Sequence, residues 1–92
     1  MITREGERLM VSGRLTMSTV PALYEIGLQH LAKEDFLVDL SKVEAVDSAA
    51  ISMLLGWSRA AQDRQRNLRV TGLPADLLSL AHLYGVAEML PQ

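Results

Sequence analysis

The stretch "FLVDLSKVEAVDSAAISMLLGWSRAAQ", residues 36–62, changes its period in the middle. Phe36, Val38 and Leu40 alternate with Asp39 and Ser41, the spacing of a strand with one apolar face. Beyond Asp47 the pattern becomes helical. At about 100° per residue, Ala50, Leu54, Trp57 and Ala61 gather on one side, flanked by Ile51 and Met53. The spacing predicts a strand through "FLVDLSKVEAV" and a helix from Asp47 or Ser48 to Arg64.

The opposite side of this helix carries Ser48, Ser52, Gly56, Arg59, Asp63 and Arg66, which fall within about 80° of one another. The first three are small and four residues apart, so another protein could approach closely there, with Arg59 available to pair with a carboxylate. Small polar residues also simply face water. Gly56 weighs against that simpler reading, because a glycine inside a helix costs about 1 kcal/mol relative to alanine and so implies a packing or contact reason. Asp47 and Ser48 sit where a helix needs a cap, and capping alone accounts for them. The same first-turn amides would also accommodate a phosphate on Ser48.

Working outward, "MITREGERLMVSG" reads as a hairpin broken at Glu5-Gly6, with Leu9 and Val11 on one face and Met10 and Ser12 on the other. In "MSTVPALYEIGLQHLAKE", Ser18 or Thr19 can cap a helix and Pro21 suits its first turn; Val20, Leu23, Tyr24, Gly27 and Leu31 form its apolar stripe. "NLRVTG" alternates as a strand, with Leu68 and Val70 opposing Arg69 and Thr71. Pro74 opens a third helix, "PADLLSLAHLY", which Gly85 can end in a left-handed conformation. "VAEMLPQ" is expected as a short extended tail, and Trp57 and Tyr84 as core anchors.

The order strand, strand, helix, strand, helix, strand, helix implies an α/β fold. Its sheet is mixed, an N-terminal hairpin followed by parallel strands joined through right-handed crossovers. Strands covered on both faces are apolar throughout, whereas these keep Asp39, Arg69 and Thr71 on one face. Two layers are therefore expected, with the helices packed on one face of the sheet and the whole of residues 1–92 in one domain.

Composition narrows the function. Nine basic and eleven acidic residues are interspersed, for a formal net charge of −2, and offer no cationic stripe for nucleic acid. Without cysteine there are no disulfides and no thiolate metal sites. No apolar run approaches the roughly 18 residues that span a bilayer, and acidic residues interrupt the first ten positions, so a cytoplasmic protein without membrane insertion is expected. His30 and His82 stand alone on separate helices, no Gly-x-Ser-x-Gly turn surrounds Ser48, and no glycine-rich phosphate loop follows a strand. These gaps point away from an enzyme, and no cofactor or metal is expected.

"FLVDLSKVEAVDSAAISMLL" resembles the signature of the STAS domain family, the fold of anti-sigma-factor antagonists: an apolar strand ending in Asp-Leu, a short link, then Asp-Ser or Asp-Thr opening a helix. "LMVSGRLT" looks like the family's second strand and following turn, and "NLRVTGL" like the strand after the signature helix. "LLSLAHLYGVAEMLP" is similar to the terminal helix and tail of the short STAS subunits of Mla-type phospholipid ABC transporters. The resemblance implies a non-catalytic subunit that binds the ATPase of such a transporter, supports its assembly and activity in outer-membrane lipid asymmetry, and touches the inner membrane only through that partner. It places the family's Asp-Ser/Thr position on Asp47 and Ser48, a docking contact in the transporter subunits and a phosphorylated switch in the antagonists. The partner-binding set is then Asp47, Ser48, Ala49, Ser52, Gly56 and Arg59. The alternative it implies is an anti-sigma-factor antagonist switched by phosphorylation of Ser48. Antagonists typically carry an acidic residue where this chain has Thr16, and a glycine where it has Ala50. The missing acidic residue and the tail both favour the transporter subunit.

Overall fold

The computed structural model describes residues 1–90. Strands β1 (Ile2–Glu5), β2 (Arg8–Leu15), β3 (Phe36–Val46) and β4 (Leu68–Thr71) form one sheet in the order β1-β2-β3-β4. The first pair is antiparallel, closed by a two-residue loop in which Gly6 takes φ +63°. The next two pairs are parallel, as each is joined through a helix: α1 (Val20–Leu31) between β2 and β3, and α2 (Ser48–Asp63) between β3 and β4. Helix α3 (Ala75–Leu83) follows β4. The mixed sheet, the hairpin and the three helices agree with the sequence reading.

One apolar core explains the layering. Leu9, Val11 and Leu15 of β2, Val38 and Leu40 of β3 and Val70 of β4 pack in a single cluster with Val20, Leu23 and Leu31 of α1, Ile51, Met53, Leu54 and Trp57 of α2, and Leu77 and Ala81 of α3. All three helices therefore cover the same face of the sheet. At its centre Trp57 is fully buried, and its indole N–H donates to the Tyr24 carbonyl at 3.0 Å. Gly27 lies directly beneath that indole, in space that a β-carbon would fill. The close approach of α1 to Trp57 is thus the reason for glycine in the α1 stripe.

Strand β3 departs from simple alternation. Leu9 pairs with Val38, Gly13 with Val43 and Leu15 with Val46, so β3 uses two more residues than β2 over the same length. Bulges absorb them, one beside Leu40–Ser41 and one at Glu44. The first has a local cause: Asp39 Oδ1 accepts from the Ser41 amide at 2.8 Å, folding the strand back on itself in an Asx turn. Asp39 also takes Arg8 Nη1 at 3.5 Å across the open face of the sheet. Although it points away from the core, it is buried, and the hydrogen bonds from Ser41, with smaller help from Arg8 and Lys42, hold its carboxyl below the ordinary aspartate value.

Helices α2 and α3 end in the same backbone motif. Gly85, at φ +72°, follows α3; its amide donates to the His82 carbonyl, and that of Val86 reaches Ala81, a Schellman ending. The same motif ends α2, where the Gln65 amide reaches Gln62 and the Arg66 amide reaches Ala61, but the left-handed residue is Gln65, at φ +55°.

Three expectations change. Thr19 stands at the N-cap of α1 without capping it: its hydroxyl turns back to donate to the Arg14 carbonyl at 2.6 Å and to accept from the Thr16 amide at 3.0 Å. Tyr84 is 54% exposed instead of anchoring the core, because α3 ends at Leu83 and leaves it at the cap. The expected extended tail turns through a short 3₁₀ segment at Ala87–Met89, which seats Leu90 in the core; Pro91 and Gln92 lie outside the described residues.

Candidate functional site: the opening of α2

Asp47 is the cap of α2, and Ser48 is its first helical residue. One Asp47 oxygen, Oδ1, accepts from the Ala49 amide at 2.8 Å, satisfying a donor that the first turn leaves free. The other, Oδ2, accepts from the Met17 amide at 3.0 Å. The Asp47 amide in turn donates to Leu15 at 3.1 Å. Asp47 therefore joins three elements: the end of β2, the β2–α1 loop and the start of α2. With Asp47 filling the cap, the Ser48 hydroxyl is left for other contacts.

Ser48 and Ser52 are both exposed, while Trp57 faces inward, so the helix has the phase that the sequence predicts. Ala49, half-buried, packs its methyl against the core rim. Gly56 has a reason inside the molecule: a β-carbon there would stand 2.7 Å from the Tyr24 ring and 3.0 Å from its hydroxyl. The contact with α1 thus accounts for a glycine in mid-helix. Arg59 is exposed but eleven residues beyond Ser48, about 16 Å along the axis. It lines a separate shallow groove with Leu55, Ser58, Gln62, Glu88 and Met89. The structure therefore brings Asp47, Ser48, Ala49 and Ser52 together, places Gly56 partly under Tyr24, and leaves Arg59 at the far end.

Sequence reasoning missed three neighbours. Met17, held beside Ser48 through Asp47, is 76% exposed. Pro21 and Tyr24 of α1 border a shallow apolar groove whose other lining residues are Val20, Met53 and Ser52. The signal available was a methionine in a polar turn; its adjacency to Ser48 depends on a bond between residues thirty positions apart.

The remaining candidates for chemistry are scattered. His82 is exposed on α3, and His30 packs edge-on against Phe36 at 5.7 Å. Among the described residues no three His, Asp or Glu side chains converge on a point that could hold a metal ion.

A mixed sheet backed by helices on one face, with an aspartate capping the helix after the central strand and a serine exposed beside it, is the architecture of a STAS domain. The family model described as "Mlab, STAS domain" matches residues 1–91, and the chain belongs to the STAS domain family. It is 30% identical over 88 residues to the intermembrane phospholipid transport system binding protein MlaB of Escherichia coli strain K12, covering 95% of this chain and 90% of that one. The MlaB protein of Shigella flexneri matches to the same extent. Among solved structures, the unphosphorylated anti-sigma factor antagonist SpoIIAA superposes with a TM-score of 0.75 over 97% of this chain and 83% of that chain. At 9% identity, that likeness concerns the fold alone.

Proposed function

We propose that this chain is the non-catalytic STAS subunit of an Mla-type phospholipid transporter, and that it binds the transporter's ABC ATPase through the opening of α2. The observation that carries the reading is the division of labour between Asp47 and Ser48. The aspartate satisfies the helix terminus, and the exposed serine beside it, with Ser52 one turn on, offers a small and uncharged surface for a partner. Similarity to MlaB along almost the whole chain supplies the transport context. Under this reading the chain works in the cytoplasm and reaches the inner membrane through its partner; among the described residues no helix is long and apolar enough to cross a bilayer.

Co-expression with the ATPase of the transporter tests the proposal. Ser48→Arg, or Ser52→Trp, is expected to abolish co-purification while the circular dichroism spectrum stays that of the wild type, because both positions face solvent. A Ser48→Arg protein that co-purifies as well as the wild type would place the interface elsewhere. The exposed Ser48 hydroxyl also supports a second reading, a partner-switching antagonist. That reading requires a gain of one phosphate on Ser48 when the chain meets its serine kinase and ATP, and an unchanged mass removes it.

A further inference from the structure

The groove between α1 and α2 shares Ser52 with the docking edge and continues it toward Tyr24. Resting on the reading above, we infer that this groove receives an apolar side chain of the ATPase, so that the interface has a greasy plug beside a polar edge. Several observations lead there. Val20 and Met53 form a floor that is almost wholly buried, and Pro21 and Tyr24 form the α1 wall. No charged residue lines the groove, so an ionic side chain entering it would lose hydration without a partner. The volume is about 230 Å³, in keeping with one aliphatic or aromatic side chain.

The wall is also held in place before any partner arrives. The Tyr24 ring rests against Gly56, and the Tyr24 carbonyl accepts from Trp57 Nε1, so the ring needs little reordering on binding. Gly56 therefore acts on docking through Tyr24, as a positioning residue. Met17, 76% exposed, is a further apolar side chain on the loop whose amide Asp47 holds.

The test measures binding of the full chain to the purified ATPase by calorimetry. Pro21→Glu places a carboxylate at the groove rim and is compatible with folding, because an acid in the first turn of α1 is favourable to the helix. It is expected to weaken binding at least tenfold, whereas Pro21→Ala stays within threefold of the wild type. Tyr24→Ala is likewise expected to lose at least tenfold and Tyr24→Phe to keep affinity, since the ring and not the hydroxyl forms the wall. Wild-type affinity in Pro21→Glu and Tyr24→Ala, with Ser48→Arg inactive, overturns the groove and leaves the docking edge standing. A wild-type chain that does not bind the ATPase at all instead overturns the underlying reading. Sedimentation of the chain alone settles the other occupant: a dimer that Pro21→Glu converts to monomer assigns the groove to a second copy and overturns the inference.

Discussion

The carboxylate of Asp47 bridges its own helix to the Met17 amide in the preceding loop, at 3.0 Å, while its second oxygen caps α2. A cap residue usually serves one helix; here the same side chain also fixes the loop that borders the exposed Ser48. Fold and candidate site thus share an atom pair.

This double use can be separated by substitution. Asp47→Ala removes both acceptors and is expected to destabilise the domain by about 1–2 kcal/mol in urea denaturation. Asp47→Asn keeps one carbonyl oxygen for the Ala49 amide but turns the other acceptor into a donor. Its loss should be smaller, and amide exchange should accelerate at Met17 while Ala49 stays protected.

Gly27 admits no side chain. The β-carbon of Gly27→Ala would overlap the indole of Trp57, which is fully buried and cannot swing aside. Overpacking of this kind is expected to lower stability by about 3 kcal/mol, with the Trp57 fluorescence shifting as its bond to the Tyr24 carbonyl breaks. Gly56→Ala meets only the ring of a partly exposed tyrosine and should be milder by comparison.

The end of α2 offers a gain. Gln65 holds φ +55°, a conformation that disfavours a side chain by about 1–2 kcal/mol, and glycine recovers most of this after its larger unfolded-state entropy is counted. Gln65→Gly is therefore expected to raise stability by about 0.5–1 kcal/mol in the same denaturation assay. Gly85→Gln, at the equivalent position after α3, should do the reverse.

Asp39 sets an acid limit. Its folded value lies below the ordinary 3.8, mainly through hydrogen bonds from Ser41, so the ionised form is the one that the fold favours. Stabilisation from a depressed carboxyl is complete above the unfolded value and disappears as pH falls through the lower folded one. The advantage of wild type over Asp39→Asn, about 1 kcal/mol, should be constant from pH 7 to about 5 and shrink below about pH 4. A difference that grows toward acid would contradict this sign.

Much of this was legible from residue spacing. The phase of α2 follows from Trp57, Leu54 and Ala61 recurring on one side, and burial of those residues turns Ser48 and Ser52 outward. β4 and the hairpin follow from alternation over short, unbulged strands. The first bulge in β3 is not legible in the alternation, because it arises from a side chain bonding its own backbone at Asp39–Ser41 and shifts the pattern only afterwards. The contact of Gly56 with Tyr24 is not legible in the helix spacing, because Tyr24 is thirty-two positions away and periodicity along one helix carries no information about another. The failure of Thr19 to cap α1 has a similar origin, since the preceding turn competes for its hydroxyl.

The two bulges of β3 also act as a phase adjustment for everything downstream. A one-residue deletion between Ser41 and Glu44 leaves β3 either to lose a bulge or to slip its register; a slip would turn Val46 to the outer face and carry Asp47 out of reach of Met17, dismantling the docking edge without touching a residue in it. Insertions and deletions in this short segment are therefore under geometric constraint even where identities are free. Proteins that present their serine or threonine in this way should keep the same eight-residue interval between the aspartate that pinches the strand and the aspartate that starts the helix.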